Sequence, residues 1–335
     1  MTQITIALFS SQKYDQASFD ACLTNHTGIT LTHFEQALNE QSALLCQDFD
    51  AVCVFVNDIV NEAVIKQIAA LGVKSILLRC AGFNNVDLTA AAAHGIKVCR
   101  VPAYSPEAVA EHCVALMLTL NRKTHKAYNR IREDNFDLNG LLGFNLFKKT
   151  IGIIGCGKIG LALVNILNGF GAKVLVCDPY AEQGNYTICD LDTLLAQSDV
   201  ISLHCPLNEQ THHLIDQQAF SKMKKGAMLI NTSRGALVDS KACIVALKNK
   251  QLGYLGLDVY EQESELFFKN RSDEIMQDDV FSRLVSFPNV LVTGHQGFFT
   301  KEALSEIAQT TLQNAHEIAH QLPLSNEVKQ RGIRC

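Results

Sequence analysis

The sequence predicts an α/β fold built as two parallel-sheet units, the second of them doubly wound. Two observations predict it. Short β-branched runs alternate with helical patterns along nearly the whole chain, the order that builds parallel sheets covered on both faces, and the alternation starts afresh at Thr150. At that restart the run IGIIGCGKIG (Ile151 to Gly160) sets a glycine-rich turn between a strand and a helix. A chain of 335 residues also suits two domains at roughly 150 residues each.

Taken in order, Ile4 to Phe9, Ala51 to Val56, Ser75 to Cys80 and Ile96 to Val101 read as strands, with Glu62 to Leu71 and Asp87 to His94 as helices between them. Ser105-Pro106 supplies a cap followed by proline at the first helical position, opening a helix expected to run to about Glu133. Its Val109, Cys113, Leu116 and Leu120 recur at helical spacing, and the apolar residues around Cys113 to Leu118 spread beyond one stripe. The helix is therefore expected to be buried on several sides, by another domain or a second subunit, which makes a homo-oligomer (dimer or tetramer) an expectation. From Thr150 six further runs read as strands: Ile151 to Ile154, Val174 to Cys177, Val200 to His204, Met228 to Asn231, Leu255 to Val259 and Val290 to Thr293. Six strands in this alternation fit a doubly wound sheet whose ligand crevice lies beyond the carboxyl ends of its strands. The acidic stretch Ser272 to Asp279 reads as a surface loop, and a helix over about Lys301 to Gln321 closes the pattern.

Composition narrows the function. Lys plus Arg is 29 and Asp plus Glu 34, a formal charge of −5, which argues against nucleic acid as a partner. The apolar stretch Cys113 to Leu118 is far short of the roughly 20 residues that cross a bilayer, so no membrane partner is expected. No basic segment precedes the short apolar run at Ile4 to Phe9, so a cytoplasmic location is expected. The 12 cysteines form no CxxC pair, and Cys53, Cys99 and Cys177 fall inside strand-like runs, which reads as buried free thiols.

Gly155, Gly157 and Gly160 stand in GxGxxG spacing, immediately after a strand and at the mouth of an apolar helical pattern. In that context the first glycine allows the tight turn, the second lets a pyrophosphate approach the backbone, and the third packs helix on strand. The pyrophosphate would meet unpaired N–H groups at the helix amino terminus. Asp178 ends the next strand, 18 residues after Gly160, where its carboxylate can take a ribose diol and repel a 2′-phosphate. With Pro179 and Tyr180 following and no nearby Arg, NAD is the expected cofactor rather than NADP.

Three polar residues then fall at or just beyond strand ends: Arg234 in NTSRG, Glu263 in LDVYEQE and His295 in VTGHQ. A guanidinium fork suits a carboxylate, and a histidine beside a carboxylate suits proton transfer near neutral pH. Each alone has an ordinary explanation: a surface ion pair, a member of the acidic run, a strand-end core histidine. Their joint position behind a dinucleotide fingerprint favours chemistry.

The chain also carries RCAGFNNVDL (Arg79 to Leu88), VPAYSPEAVAEH (Val101 to His112), GCGKIG, DVISLHCPL (Asp199 to Leu207), NTSRGAL (Asn231 to Leu237), LDVYEQE (Leu257 to Glu263) and TGHQGFFT (Thr293 to Thr300). In these ordered stretches, spanning nearly the whole sequence, it resembles the D-isomer-specific 2-hydroxyacid dehydrogenases, most closely their NAD-dependent, lactate-forming members. The resemblance implies two doubly wound parallel-sheet domains, with a Rossmann NAD domain (102–298) inserted into a flavodoxin-like substrate domain (1–101 and 299–335), the two crossings acting as a hinge. It implies reversible reduction of pyruvate to D-lactate with NADH. Arg234 would bind the substrate carboxylate and polarise its carbonyl, His295 would be the acid/base and Glu263 its partner. It further puts Lys158 and Ile159 at the pyrophosphate, Cys205, Pro206 and Thr211 along the adenosine, and Thr232, Ser233 and Asp258 near the nicotinamide. The peptide at Ala81 and Gly82 and the side chain of Tyr104 would face the substrate, with Phe299 an apolar wall near its methyl group. One departure is Gly297, where lactate-forming relatives more often carry alanine; it suggests local freedom beside His295.

Two motifs point elsewhere. His316-Glu317-Ile318-Ala319-His320 matches the HExxH pattern of zinc proteases, but it sits in the closing helix with few residues left for a third ligand, and no metal is expected. Cys156 lies in the glycine loop at a helix amino terminus, a setting that lowers a thiol pKa and could make it oxidation-sensitive, but an inert small loop residue is the favoured reading. Two other readings stay open: reduction of hydroxypyruvate or glyoxylate by the same residues, and an NAD-sensing corepressor that binds without turnover.

Overall fold

The structure, a computed structural model, describes residues 3–268 and 270–328. It divides into two compact units. One holds the residues up to Ser105 together with those from Phe299 onward, and the other is Pro106–Phe298.

The first unit opens with β1 (Ile4–Leu8), α1 (Lys13–Leu23) and β2 (Ile29–His33), then β3 (Ala51–Val54), α2 (Glu62–Ala70), β4 (Ser75–Leu78), α3 (Leu88–Ala93) and β5 (Lys97–Arg100). All five strands are parallel, in the order β2-β1-β3-β4-β5. Period-two alternation splits their side chains between two cores. Ala7, Val52, Val54, Ile76 and Leu78 pack with Val64, Ile65 and Ile68 of α2, while Ile6, Leu8, Cys53 and Leu77 pack on the opposite face with Phe19 of α1. β3 and β4 are buried at every position, as strands covered on both sides must be. The sequence reading finds no element between Phe9 and Ala51, yet α1 and β2 lie there. The N-cap of α1 is not Ser, Thr, Asp or Asn but Gln12, whose backbone N–H donates to the Asp15 carboxylate at 2.9 Å. β2 is an edge strand with no fully buried residue, so it shows no clear apolar alternation.

The second unit begins with α4 (Pro106–Arg122) and α5 (Thr124–Ile131), where the sequence suggests one helix. The break falls at Lys123, whose φ of +51° is left-handed and stops the helical ladder without a Gly or Pro. Then come β6 (Thr150–Ile154), α6 (Lys158–Gly169), β7 (Lys173–Cys177), β8 (Thr187–Ile188), α7 (Leu191–Gln197), β9 (Val200–Leu203), α8 (Gln217–Lys222) and β10 (Ala227–Asn231). α9 (Ser240–Lys248), β11 (Leu252–Leu257), α10 (Glu263–Leu266), α11 (Asp279–Val285) and β12 (Val290–Val292) complete it. The sheet is parallel throughout, in the order β12-β11-β10-β9-β6-β7-β8. This is the doubly wound order with its reversal between β6 and β9, and one strand added beyond β11. β8, only two residues long and exposed, is the strand missing from the sequence reading. The wide apolar face of α4 is covered inside its own unit: Ala110, Cys113, Leu116, Met117 and Leu120 share a core with Leu163 and Leu167 of α6 and Met228 and Ile230 of β10. That burial needs no second subunit.

The last helix, α12 (Lys301–Ala319), returns to the first unit. Its Ala308, Leu312 and Ala315 are fully buried against Ile4, Ile6 and Leu77. Glu317 of the HExxH pattern accepts the backbone N–H and the hydroxyl of Ser325 at 2.8 and 2.9 Å, fastening the segment that follows. Among the described residues no group of three or more His, Cys, Asp or Glu is placed to hold a metal ion, and no helix is long and apolar enough to cross a membrane.

Candidate active site

Because every strand of the second unit runs the same way, the loops after β6, β7, β9, β10, β11 and β12 all emerge along one edge of its sheet. Gly155 leaves β6 at φ +90°, and a Cβ there would stand 2.5 Å from the backbone nitrogen of Cys205. A Cβ on Gly160 would run into the carbonyl oxygen of Gly155, whereas one on Gly157 would meet nothing within 4 Å. Two glycines are thus demanded by packing and the middle one by the open space outside it, where a diphosphate fits. Gly157 caps α6 with no side-chain hydrogen bond, so the first N–H groups at Lys158 and Ile159 are left for an anion. Asp178, just past β7, accepts the N–H of Cys156 at 2.6 Å on one oxygen and that of Tyr180 at 2.8 Å on the other. Each carboxylate oxygen keeps a lone pair for a ribose hydroxyl. These residues fit NAD. Cys156 follows the inert of its two readings: burial pushes its thiol up, with a hydrogen bond to Tyr186 opposing the rise and Asp178 adding to it.

Cross-links hold the neighbouring loops. Ser233 donates its hydroxyl to the Cys205 carbonyl at 2.8 Å, tying the loop after β10 to that after β9. Thr211 donates to the carbonyl of Pro206 at 2.7 Å and accepts the N–H of Asn208 at 2.8 Å, which fixes the turn they share. Thr232 lies 3.0 Å from the thiol of Cys113 on α4. Asn231, at the end of β10, donates to the Arg234 carbonyl at 2.8 Å and accepts the Ser233 N–H at 3.0 Å. The Arg234 guanidinium gives one N–H to the Ser233 carbonyl at 2.7 Å, and the rest of the fork can grip an anion.

The structure brings Glu263 and His295 together. Glu263 accepts the N–H of Tyr260 at 2.9 Å on one oxygen, and its other oxygen lies 3.0 Å from Nδ1 of His295. An ionised carboxylate only accepts, so Nδ1 carries the proton and Nε2 is the ring nitrogen left for proton transfer. His295 sits at φ +54°, in the left-handed region, and its ring lies 5.9 Å from that of Phe268.

This strained turn is wrapped around Asp258, which is almost fully buried at the end of β11. Asp258 accepts the Thr293 hydroxyl at 2.5 Å and the Gln296 N–H at 2.9 Å on one oxygen, and the Gly297 N–H at 2.7 Å on the other. Burial alone would raise its carboxyl pKa; hydrogen bonds from His112 and Thr293, the charge of His112 and the Gln296 N–H overcome that and hold it below the ordinary value. Gly297 is therefore held rather than loose, and a Cβ there would approach the Asp258 carboxylate to 2.9 Å. His112 of α4 takes part with its Nε2 3.0 Å from the Thr293 hydroxyl and 3.3 Å from Asp258. Sequence reasoning missed His112 as a site residue, though a histidine three positions after Val109 on an apolar helical face was a signal.

Ala81, Gly82, Tyr104 and Phe299 belong to the first unit. The Ala81 carbonyl accepts from Arg100 at 2.8 Å and the Gly82 carbonyl from the Cys80 thiol at 3.2 Å, which orients that peptide beyond β4. Phe299 meets the edge of Tyr14 with ring centres 4.8 Å apart.

Residues 114–297 match the family model "D-isomer specific 2-hydroxyacid dehydrogenase, NAD binding domain". The chain is 52% identical to 2-hydroxyacid dehydrogenase A of Aspergillus oryzae, over 98% of this chain and 96% of that protein. It is 50% identical to D-lactate dehydrogenase of Escherichia coli, over 96% of this chain and 99% of the other. Its structure superposes on apo D-lactate dehydrogenase from Escherichia coli with a TM-score of 0.89 and 48% identity, covering 97% of this chain and all of that one. It superposes on D-lactate dehydrogenase with NAD+ from Lactobacillus jensenii with a TM-score of 0.83 and 33% identity, covering 98% and 100% of the two chains. With its glycine turn and its histidine–carboxylate pair in one parallel-sheet unit, the chain belongs to the D-isomer specific 2-hydroxyacid dehydrogenase family.

Proposed function

We propose that the chain catalyses the reversible, NADH-dependent reduction of pyruvate to D-lactate. The observation that carries this reading is the 3.0 Å contact between Glu263 and Nδ1 of His295, placed on the sheet edge that also bears the glycine turn and Arg234. The name of the relative from Escherichia coli, D-lactate dehydrogenase, supports the substrate.

Bound NADH supplies the hydride that adds to the keto carbon. Arg234 grips the substrate carboxylate through its guanidinium fork and draws electron density from the adjacent carbonyl. Protonated His295 gives its Nε2 proton to the carbonyl oxygen, and Glu263 holds the ring by Nδ1 and stabilises its charged form. In the reverse direction neutral His295 takes the hydroxyl proton. The cofactor is held by Gly155, Gly157, Lys158, Ile159 and Gly160 at the diphosphate and Asp178 at the ribose. Cys205, Pro206 and Thr211 line its adenosine side, and Thr232, Ser233 and Asp258 its nicotinamide side. Ala81, Gly82, Tyr104 and Phe299 are proposed as substrate-binding residues, and the unit that holds them as the substrate domain.

The proposed compartment is the cytoplasm, supported by free thiols at every described cysteine. A dimer or tetramer is proposed from the exposed Phe136, Leu138 and Leu142, and light scattering tests it. The activity test is NADH oxidation by the purified protein with pyruvate, 2-ketobutyrate, hydroxypyruvate, glyoxylate and phenylpyruvate, with the product's handedness resolved. Preference for pyruvate yielding D-lactate is expected. Preference for hydroxypyruvate or glyoxylate would rename the substrate, and NADH binding without turnover would point to a sensor.

A further inference from the structure

We infer that His112, a residue of α4 remote in sequence from the catalytic pair, is a positioning residue for His295. The inference rests on the proposed function in taking His295 as the acid/base. The Thr293 hydroxyl has one hydrogen, and its 2.5 Å contact with Asp258 assigns that hydrogen to the ionised carboxylate, which can only accept. The Thr293 oxygen therefore turns a lone pair toward His112, 3.0 Å away. Two lone pairs would repel, so Nε2 of His112 carries hydrogen and donates into the Thr293–Asp258 pair, with Asp258 at 3.3 Å.

Asp258 thus gathers donors from three directions: Thr293 before His295, Gln296 and Gly297 after it, and His112 from the helix. The two backbone N–H groups it holds follow His295 directly, and His295 itself is left-handed at φ +54°, a conformation that persists only where its surroundings impose it. His112 reaches this clamp from a rigid element, since α4 is buried against α6 and β10. Fixing the carboxylate fixes the turn, and the turn fixes the direction of the His295 ring.

The test compares His112→Leu, which keeps bulk and removes the donor, with His112→Gln, whose amide nitrogen can donate from nearly the same place. Expected is a fall in kcat of about tenfold or more in His112→Leu, with KM for pyruvate within about twofold, and recovery of most of the loss in His112→Gln. Wild-type kcat in His112→Leu overturns the inference, as does equal impairment of both variants, which would show that the donor is not what matters. Wild-type turnover is measured first and judges the proposed function separately. Should the wild type reduce no 2-keto acid, the ring 15N shifts of His295 still decide: the inference stands if they change in His112→Leu and return in His112→Gln, and fails if they stay constant.

Discussion

Replacing Asp258 with asparagine exchanges one carboxylate oxygen for an NH2 group and removes the charge. Turned one way, the amide faces the Thr293 hydroxyl, the Gln296 N–H and His112; turned the other, it opposes only the Gly297 N–H, 2.7 Å from the oxygen it replaces. The second arrangement costs less, yet it leaves a buried N–H facing another donor and turns charge-assisted bonds into neutral ones. A hydrogen bond to a charged group contributes about 1.5–3 kcal/mol and an orphaned buried donor costs about 1–3 kcal/mol, so a loss of about 3 kcal/mol is expected. For a unit of this size that lowers Tm by about 6–12 °C, and a displaced His295 lowers kcat by about 100-fold. The pH dependence has a definite sign. The carboxyl is depressed in the folded state, so its contribution is fully present above the unfolded carboxyl value of about 4 and is lost as pH falls through the lower folded value. The Tm gap between wild type and Asp258→Asn should therefore be constant near neutrality and close only at strongly acidic pH. Scanning calorimetry across pH, beside stopped-flow turnover, measures both, and a variant with unchanged Tm and kcat at pH 7 would refute the clamp.

Further expectations follow from the same geometry. His295→Ala should remove most turnover while NADH affinity, read by fluorescence titration, stays near wild type; Arg234→Ala should act chiefly by raising KM for the 2-keto acid. Asp178→Ala removes the carboxylate held by the Cys156 and Tyr180 N–H groups, so preference for NADH over NADPH should narrow by about tenfold or more, as removing one repulsion allows. Gly160→Ala drives a methyl into the Gly155 carbonyl and should weaken NADH binding and lower Tm, while Gly157→Ala should keep Tm and lose NADH affinity, because the space outside Gly157 is empty of protein.

Much of the fold and site was legible because its signals are local. β3 and β4 announce themselves as continuous apolar runs, and Gly155 to Gly160 with Asp178 reads as one unit because strand, turn and helix are contiguous. Other features depend on distant partners. α1 begins on a Gln12–Asp15 cap that no preference table favours, β8 is too short to show a period, and the left-handed Lys123 that divides α4 from α5 carries no glycine to mark it. For the thiol of Cys156 the sequence leaves two readings, because its position at a helix amino terminus is written there while the burial that raises it is not. His112 escaped for the same reason: its partners Asp258 and Thr293 lie just beyond β11 and β12, which it meets only after folding.

The return of α12 to the first unit has a consequence for synthesis. The apolar face formed by Ile4, Ile6 and Leu77 waits for Ala308, Leu312 and Ala315, and the whole of Pro106–Phe298 is made in between. At ribosomal speeds that interval is roughly 200 residues, or about 10–40 s, during which the inserted unit can complete its own sheet while the amino-terminal one has only α1 on that side. A nascent chain stalled before Lys301 should therefore recruit holdase chaperones to its first hundred residues, and release them once the closing helix has left the ribosome.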